Sequence, residues 1–223
     1  MTLHATRLPV QLGAALATGV VLVLGVWIAG GLITNDYKTS MALTIAWGVV
    51  LGAACVWVAV RNRTLRVPVL AGYVLTGALV VGVLGYLTLH DKVVHEHIVR
   101  GVPASAARAA PDRNVQLASG PFASIEHGTS GTAAIVRLPG GVRRLTLARF
   151  STSPGPDLRV RLVPGSSSDG GADGALDLGA LKGNKGDQQY DVPPGADLAR
   201  YRAVVIWCRA FSAAFGEAAL TAS

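Results

Sequence analysis

Residues 67–89 read VPVLAGYVLTGALVVGVLGYLTL, a stretch without any charged residue or histidine, and from residue 90 the sequence changes to HDKVVHEH. About 20 consecutive apolar residues are enough for an α-helix to cross the hydrocarbon core of a bilayer. Residues 8–35 and 41–60 are likewise long and uncharged. The sequence therefore predicts three transmembrane helices within residues 1–90.

The loops between these runs predict the orientation of the helices. The loop after the second run carries Arg61, Arg63 and Arg66, whereas the first loop carries only Lys38. Because Lys and Arg are enriched in cytoplasmic loops, we expect a cytoplasmic N-terminus and an extracytoplasmic C-terminal domain in a multi-pass plasma membrane protein. The first run exceeds the roughly 7 to 15 apolar residues of a signal peptide, so we interpret it as an uncleaved span.

The composition separates a membrane part from a second domain. The chain has 51% hydrophobic residues, 15% charged residues and a mean hydropathy of +0.44. These values are too apolar for one ordinary soluble domain. No Asp, Glu, Lys, Arg or His lies inside an apolar run, so the spans offer no proton relay, ion site or imidazole ligand at membrane depth. We interpret residues 1–90 as an anchor in the lipid bilayer.

Two functional classes find no support in the sequence. The formal net charge is +7, but no basic stripe interleaved with aromatic residues is present, which argues against a nucleic-acid partner. The chain also lacks a Gly-x-Ser-x-Gly elbow, a His-Glu-x-x-His motif, a P-loop and a dinucleotide fingerprint. Whether the protein is an enzyme stays open at this point.

The segment after the third helix is predicted to be a linker, residues 91–114, that contains candidate metal ligands. His90, His95 and His97 lie close together with two carboxylates, and neutral imidazole nitrogens bind zinc and copper. However, the two-residue spacing of His95 and His97 puts them on different faces of a continuing helix. A solvated juxtamembrane segment is the alternative interpretation.

The remaining residues, 115–223, show the alternation that is typical of β-strands. Leu158, Val160 and Leu162 alternate with Arg159 and Arg161, as expected where one face packs on a core and the other meets water. Further strands are predicted at 132–138, 144–148, 188–192, 203–208 and 215–220, with turns at 140–141, 154–156 and 193–195. About seven or eight short strands indicate an all-β sandwich or jelly roll.

Both faces of the strand at 203–208, AVVIWC, are apolar, which predicts a central strand ending at Cys208. The other cysteine, Cys55, lies in an apolar run, so we expect the two not to form a disulfide. Arg202 and Arg209 are near enough in sequence to supply positive potential, although alternation points Arg209 away from the thiol. A buried thiol that acts as a small hydrophobic group is the structural alternative.

Several ordered blocks in this half resemble the DM13 domain family. In chain order they are Gly120-Pro121-Phe122 with His127 and Gly131, the strand at 145–150, Gly155-Pro156-Asp157-Leu158, Leu178-Gly179-Ala180-Leu181-Lys182-Gly183, Gly186-Asp187-Gln188-Gln189-Tyr190 with Pro193, and Val205-Ile206-Trp207-Cys208 with Phe211 and Phe215. Ordered blocks over about 100 residues are far more specific than any single short motif. The sequence departs from the pattern at Arg161, where the family pattern has an aromatic residue.

The resemblance implies a β-sandwich related to the DOMON domains and a role in extracytoplasmic electron transfer with a redox partner protein at the cell surface. It marks Cys208 as the redox candidate. Cys208, Trp207 and His127 are then candidate cofactor-binding residues, with a haem or a thiolate-bound metal as the possible cofactor. The alternative function is a non-enzymatic β-sandwich that binds a ligand, a glycan or a partner, with Cys208 buried and structural.

Overall fold

The computed structural model describes residues 7–34, 37–103, 112–171 and 173–223. The chain divides into two compact units, Met1–Leu87 with Ala210–Ser212 and Thr88–Arg209 with Ala213–Ser223. Part of the predicted linker, residues 104–111, lies outside the described residues.

The first unit contains three α-helices: α1 Arg7–Gly31, α2 Tyr37–Arg61 and α3 Arg66–Leu89. All three are long and apolar enough to cross a membrane, as the uncharged runs predict. A helix satisfies its backbone hydrogen bonds internally, which is why an apolar chain adopts it in lipid. The hydroxyl of Tyr73 in α3 donates a hydrogen bond of 2.8 Å to the backbone oxygen of Gly48 in α2.

The second unit is built from strands. They are β1 Val93–His95, β2 Val102–Pro103, β3 Val115–Ser124, β4 Thr129–Arg137, β5 Arg143–Thr152, β6 Leu158–Val163, β7 Leu176–Ala180, β8 Lys185–Val192, β9 Ala203–Cys208, β10 Ala213–Ala219 and β11 Thr221–Ala222. Short 3₁₀ helices at Ser167–Gly171 and Leu198–Arg200 interrupt the loops. The predicted fold class, three apolar helices followed by a strand-rich domain, is confirmed.

The strands join into one curled mixed sheet in the order β1-β8-β5-β4-β3-β10-β9-β6-β7, with β2 and β11 also paired to β3. The strand β3 connects the two halves of this sheet. Its first part pairs with β4 from Val115 to Pro121, and its last part pairs with β10 from Phe122 to Ser124. A sheet that curls in this way is compatible with the predicted sandwich, because its two halves can cover one core.

Two short strands come from the residues that the sequence assigned to the linker. The strand β1 pairs in parallel with β8, and β2 pairs in parallel with the start of β3. Neither strand can be recognised in the sequence as part of a β-hairpin, because parallel strands are not joined by a tight turn. The predicted domain boundaries stay predictions, but these strands are hydrogen-bonded parts of the sheet.

Candidate functional site

Cys208 lies at the end of β9, which is a central strand of the second half of the sheet. It is paired with Leu158 of β6 on one side and with Ala213 of β10 on the other, and its exposed fraction is 0%. Because side chains alternate along a strand, Cys208 shares its face with Val204 and Ile206. The thiol is therefore enclosed in the apolar interior of the domain.

The residue after the thiol is fixed to the loop before β6. The Arg209 Nε lies 2.7 Å from Asp157 Oδ2, and the Arg209 N–H donates to the Asp157 backbone oxygen at 2.9 Å. The Asp157 carboxylate therefore pairs with Arg209, the residue whose positive charge was considered as a source of positive potential near Cys208. The two contacts also join the Gly-Pro-Asp block to the cysteine block, which are distant in sequence.

Trp207 lies on the opposite face of β9 from Cys208, beneath the 3₁₀ helix Ser167–Gly171. It is 5% exposed and packs in a cluster with Val163, Ala203, Val205 and Ala214. A Cβ added to Gly170 would lie 2.4 Å from Trp207 Cε3, so only glycine lets this helix approach the indole.

Two hydrogen bonds hold the 3₁₀ helix in place. Arg161 Nη1 donates to the Gly170 oxygen, and the Ser167 N–H donates to Glu217 Oε2 at 2.6 Å.

Arg161, which departs from the family pattern, belongs to an ion-pair cluster on the outer face of β6 and β7. Asp177 lies 3.1 Å from Arg159 Nε and 3.5 Å from Arg161 Nε. Burial opposes ionisation of Asp177, but hydrogen bonds from Arg159 and the Gly179 N–H, together with both guanidinium charges, outweigh it and lower its pKa. Arg161 thus adds a second guanidinium group beside the ion pair of Arg159 and Asp177.

His127 packs against Phe215 in the bulge of β10. The two ring centroids are 3.9 Å apart at 36°, and the Phe215 backbone oxygen also accepts the His127 N–H at 3.4 Å. Burial lowers the pKa of His127, although the nearby Glu126 carboxylate opposes this effect. The lowered pKa favours the neutral form of the imidazole.

The predicted metal ligands are spread along the first residues of the domain. His90 follows the end of α3, His95 lies in β1 opposite Asp187, and His97 follows that strand, all three with exposed side chains. Within the described ranges, no group of three or more His, Cys, Asp or Glu side chains is arranged to hold a metal ion. These histidines remain candidates from their residue type alone.

A haem held between His127 and Cys208 does not fit this arrangement. Cys208 is 0% exposed within a paired central strand, while one face of the His127 ring is covered by Phe215. Axial ligation needs an open space beside both ligand atoms. Trp207 lies on the other face of β9, so the three predicted cofactor-binding residues do not line one cavity.

Three contacts of the domain were not predicted from the sequence. They are the Asp157–Arg209 pair, the hydrogen bond from Ser167 to Glu217, and the ion pair of Glu96 with Lys182. The partners are separated by 52, 50 and 86 positions respectively. Asp157 and Lys182 belong to the ordered blocks and Arg209 follows Cys208, but no sequence pattern linked any of them to its partner.

The fold and the site together define a class: a strand-rich domain with a buried cysteine at the end of a central strand, carried on a chain with three apolar helices. Residues 121–220 match the model of one protein family, described as electron transfer DM13, and this part of the chain is a DM13 domain. The match confirms the resemblance and spans the sheet from β3 to β10. No curated protein and no solved structure matches the chain.

Proposed function

We propose that this protein is a membrane-anchored redox module whose DM13 domain transfers electrons on the extracytoplasmic side of the plasma membrane, with Cys208 as its centre. The observation that carries the proposal is the position of Cys208, fully buried at the end of β9 within the residues that match an electron-transfer family. The basic loop after α2 supports the extracytoplasmic placement.

Complete burial restricts the chemistry open to this thiol. Thiol–disulfide exchange requires a sulfur to attack in direct contact, and protein covers Cys208 on all sides. When Cys208 gives up an electron, the electron passes to a redox partner protein and the Sγ proton is released to that partner or to water. The function therefore requires a partner that docks on the surface of the domain.

The alternative is a non-enzymatic binding domain in which Cys208 fills space. The same complete burial favours it, because free cysteine is among the most buried residue types and packs as a small hydrophobic group. In this case the function lies on the surface of the sheet.

Voltammetry of the full chain in detergent separates the two functions. The redox proposal expects a reversible couple that is lost in Cys208→Ala. Cys55→Ala is the matched control, because it removes the only other thiol of the chain and should leave the signal unchanged. A wild-type protein without any couple supports the binding domain instead.

A further inference from the structure

A groove lies on the outer face of the sheet formed by β3, β4 and β5, on the side away from the core. Its volume is about 340 Å³, near the lower end of the roughly 300 to 1,000 Å³ of small-molecule sites. Small side chains form the floor, namely Thr132, Ala134, Thr146 and Ala148. An outer sheet face in water usually carries longer polar residues, so this floor leaves room for a ligand.

One wall of the groove is residues 98–101, which cross over the sheet and are held in place. The Val99 N–H donates to Gln189 Oε1 at 3.0 Å. A Cβ added to Gly101 would lie 2.4 Å from the Gln116 backbone nitrogen, so the backbone there packs directly on β3. This wall is therefore a fixed part of the domain.

The other wall includes Arg149, whose backbone adopts a left-handed conformation with φ of 49°. Such a conformation is costly for a residue with a side chain, and it concentrates at ligand sites. The Arg149 N–H donates to Asp187 Oδ1 at 2.6 Å, which stabilises the conformation. The strain thus places this arginine at the rim of the groove.

The charges around the groove favour an anion. Among the described residues, Arg100 and Arg149 both line it, and no Asp or Glu does. Within the described part of the chain, neither guanidinium forms an ion pair or a hydrogen bond, whereas Arg144, Arg159 and Arg209 are all paired with carboxylates. Guanidinium groups bind carboxylates through charge-assisted hydrogen bonds.

The neutral polar groups of the groove favour a ligand that also donates hydrogen bonds. Gln116 uses its Nε2 hydrogens on Ser119 and Ser223, at 3.1 and 2.9 Å, which leaves its Oε1 as an acceptor. The Thr132 hydroxyl on the floor is a second group that can accept. A hydroxyl group on the ligand can donate a hydrogen bond to either of these acceptors.

We propose that this groove binds a small hydroxycarboxylate anion, with its carboxylates at Arg100 and Arg149 and its hydroxyl group toward Gln116 and Thr132. The proposal goes beyond the proposed redox function and does not depend on the chemistry of Cys208.

The test is isothermal titration calorimetry on the full chain in detergent with three probes of related carbon skeleton. L-malate carries both chemical groups, succinate lacks the hydroxyl, and butane-1,2,4-triol lacks the carboxylates. We expect saturable binding of malate, weaker binding of succinate and none of the triol. Arg100→Gln and Arg149→Gln should each weaken malate binding by about tenfold or more, because each removes a charge-assisted hydrogen bond.

Arg137→Gln is the matched control, since Arg137 is an exposed arginine on β4 outside the groove and its loss should leave the affinity unchanged. Equal loss of affinity in Arg137→Gln, triol binding as tight as malate binding, or no saturable malate binding would each overturn the proposal. If Arg149→Gln fails to fold, Arg100→Gln decides alone. Cys208→Ala should bind malate like the wild type, which separates this site from the redox proposal.

Discussion

The Glu96 carboxylate and the Lys182 ammonium lie 2.7 Å apart, and they fasten the segment after β1 to the loop between β7 and β8. Glu96 Oε2 also accepts the Gln189 N–H at 2.9 Å. Burial opposes ionisation of Glu96, but the hydrogen bonds from Lys182 and Gln189 outweigh it and hold its pKa below the usual range. Residues before Val102 therefore contribute to the stability of the sheet.

Removal of this segment should weaken the domain without preventing folding. Residues 90–223 and residues 111–223, each expressed alone, should both give a β-rich circular dichroism spectrum and a cooperative melt. The shorter fragment should be less stable by about 1 to 3 kcal/mol, because it lacks the β1 pairing and its charge-assisted hydrogen bonds. Equal melting temperatures would show that the segment carries no stability, and a coil spectrum would show that it is needed for folding.

The Asp177 cluster should make stability depend on pH in the acid range. Since the pKa of Asp177 is lowered in the folded protein, its contribution is present above its unfolded pKa of about 3.9 and is lost as the pH falls through the folded pKa. Asp177→Asn should cost about 1 to 3 kcal/mol at pH 7 and should flatten the acid limb of the stability curve. Asp173→Asn, in an exposed loop nearby, is the control in urea melts from pH 2 to 7. An unchanged acid limb in Asp177→Asn contradicts this prediction.

The addition of one methyl group at Gly170 should disrupt its packing against Trp207. Gly170→Ala places a Cβ about 2.4 Å from the indole, so the 3₁₀ helix must move away and the domain should lose about 1 to 3 kcal/mol. Trp207 is the only tryptophan in residues 90–223, so its fluorescence emission in that fragment should shift to longer wavelength as water enters. Gly174→Ala is the control, because its Cβ would lie 3.6 Å from Pro164 Cγ, an ordinary contact. The same emission maximum in both variants counts against this packing.

Substitution of Cys208 should separate packing from redox function when stability and the redox couple are both measured. If the thiol only fills space, Cys208→Ser should cost about 1 to 3 kcal/mol through a poorly satisfied buried hydroxyl, and Cys208→Ala should cost less. If Cys208 is the redox centre, both variants should lose the redox couple at a smaller cost in stability. Thermal melts of both variants, compared with their voltammograms, distinguish these outcomes.

The predicted topology can be tested with single cysteines and a membrane-impermeant maleimide on intact cells. Thr64→Cys, in the basic loop, should react only after permeabilisation, and Gly195→Cys, in an exposed turn with open space for a Cβ, should react directly. A variant with both native cysteines replaced by alanine provides the background. Reaction at 64 without reaction at 195 in intact cells would reverse the orientation.

The two-part architecture and most of the strands can be predicted from the amino-acid sequence. The uncharged runs coincide with the three helices, because a backbone in lipid must satisfy its own hydrogen bonds. The alternation at 158–162 and the apolar run at 203–208 correspond to β6 and β9, because a strand that packs on a core shows a period of two. These are local properties of the chain, which one segment reveals without its neighbours.

The contacts between residues that are distant along the chain could not be predicted and depend on how the strands pair. Arg209 was expected near the thiol on its sequence position, but its charge is directed to Asp157, which the register of β6 and β9 brings beside it. Strands β1 and β2 have parallel partners far along the chain, and a short parallel strand carries no turn signal. The groove between Arg100 and Arg149 forms because residues 98–101 cross over β3, β4 and β5. No local sequence pattern predicts this contact.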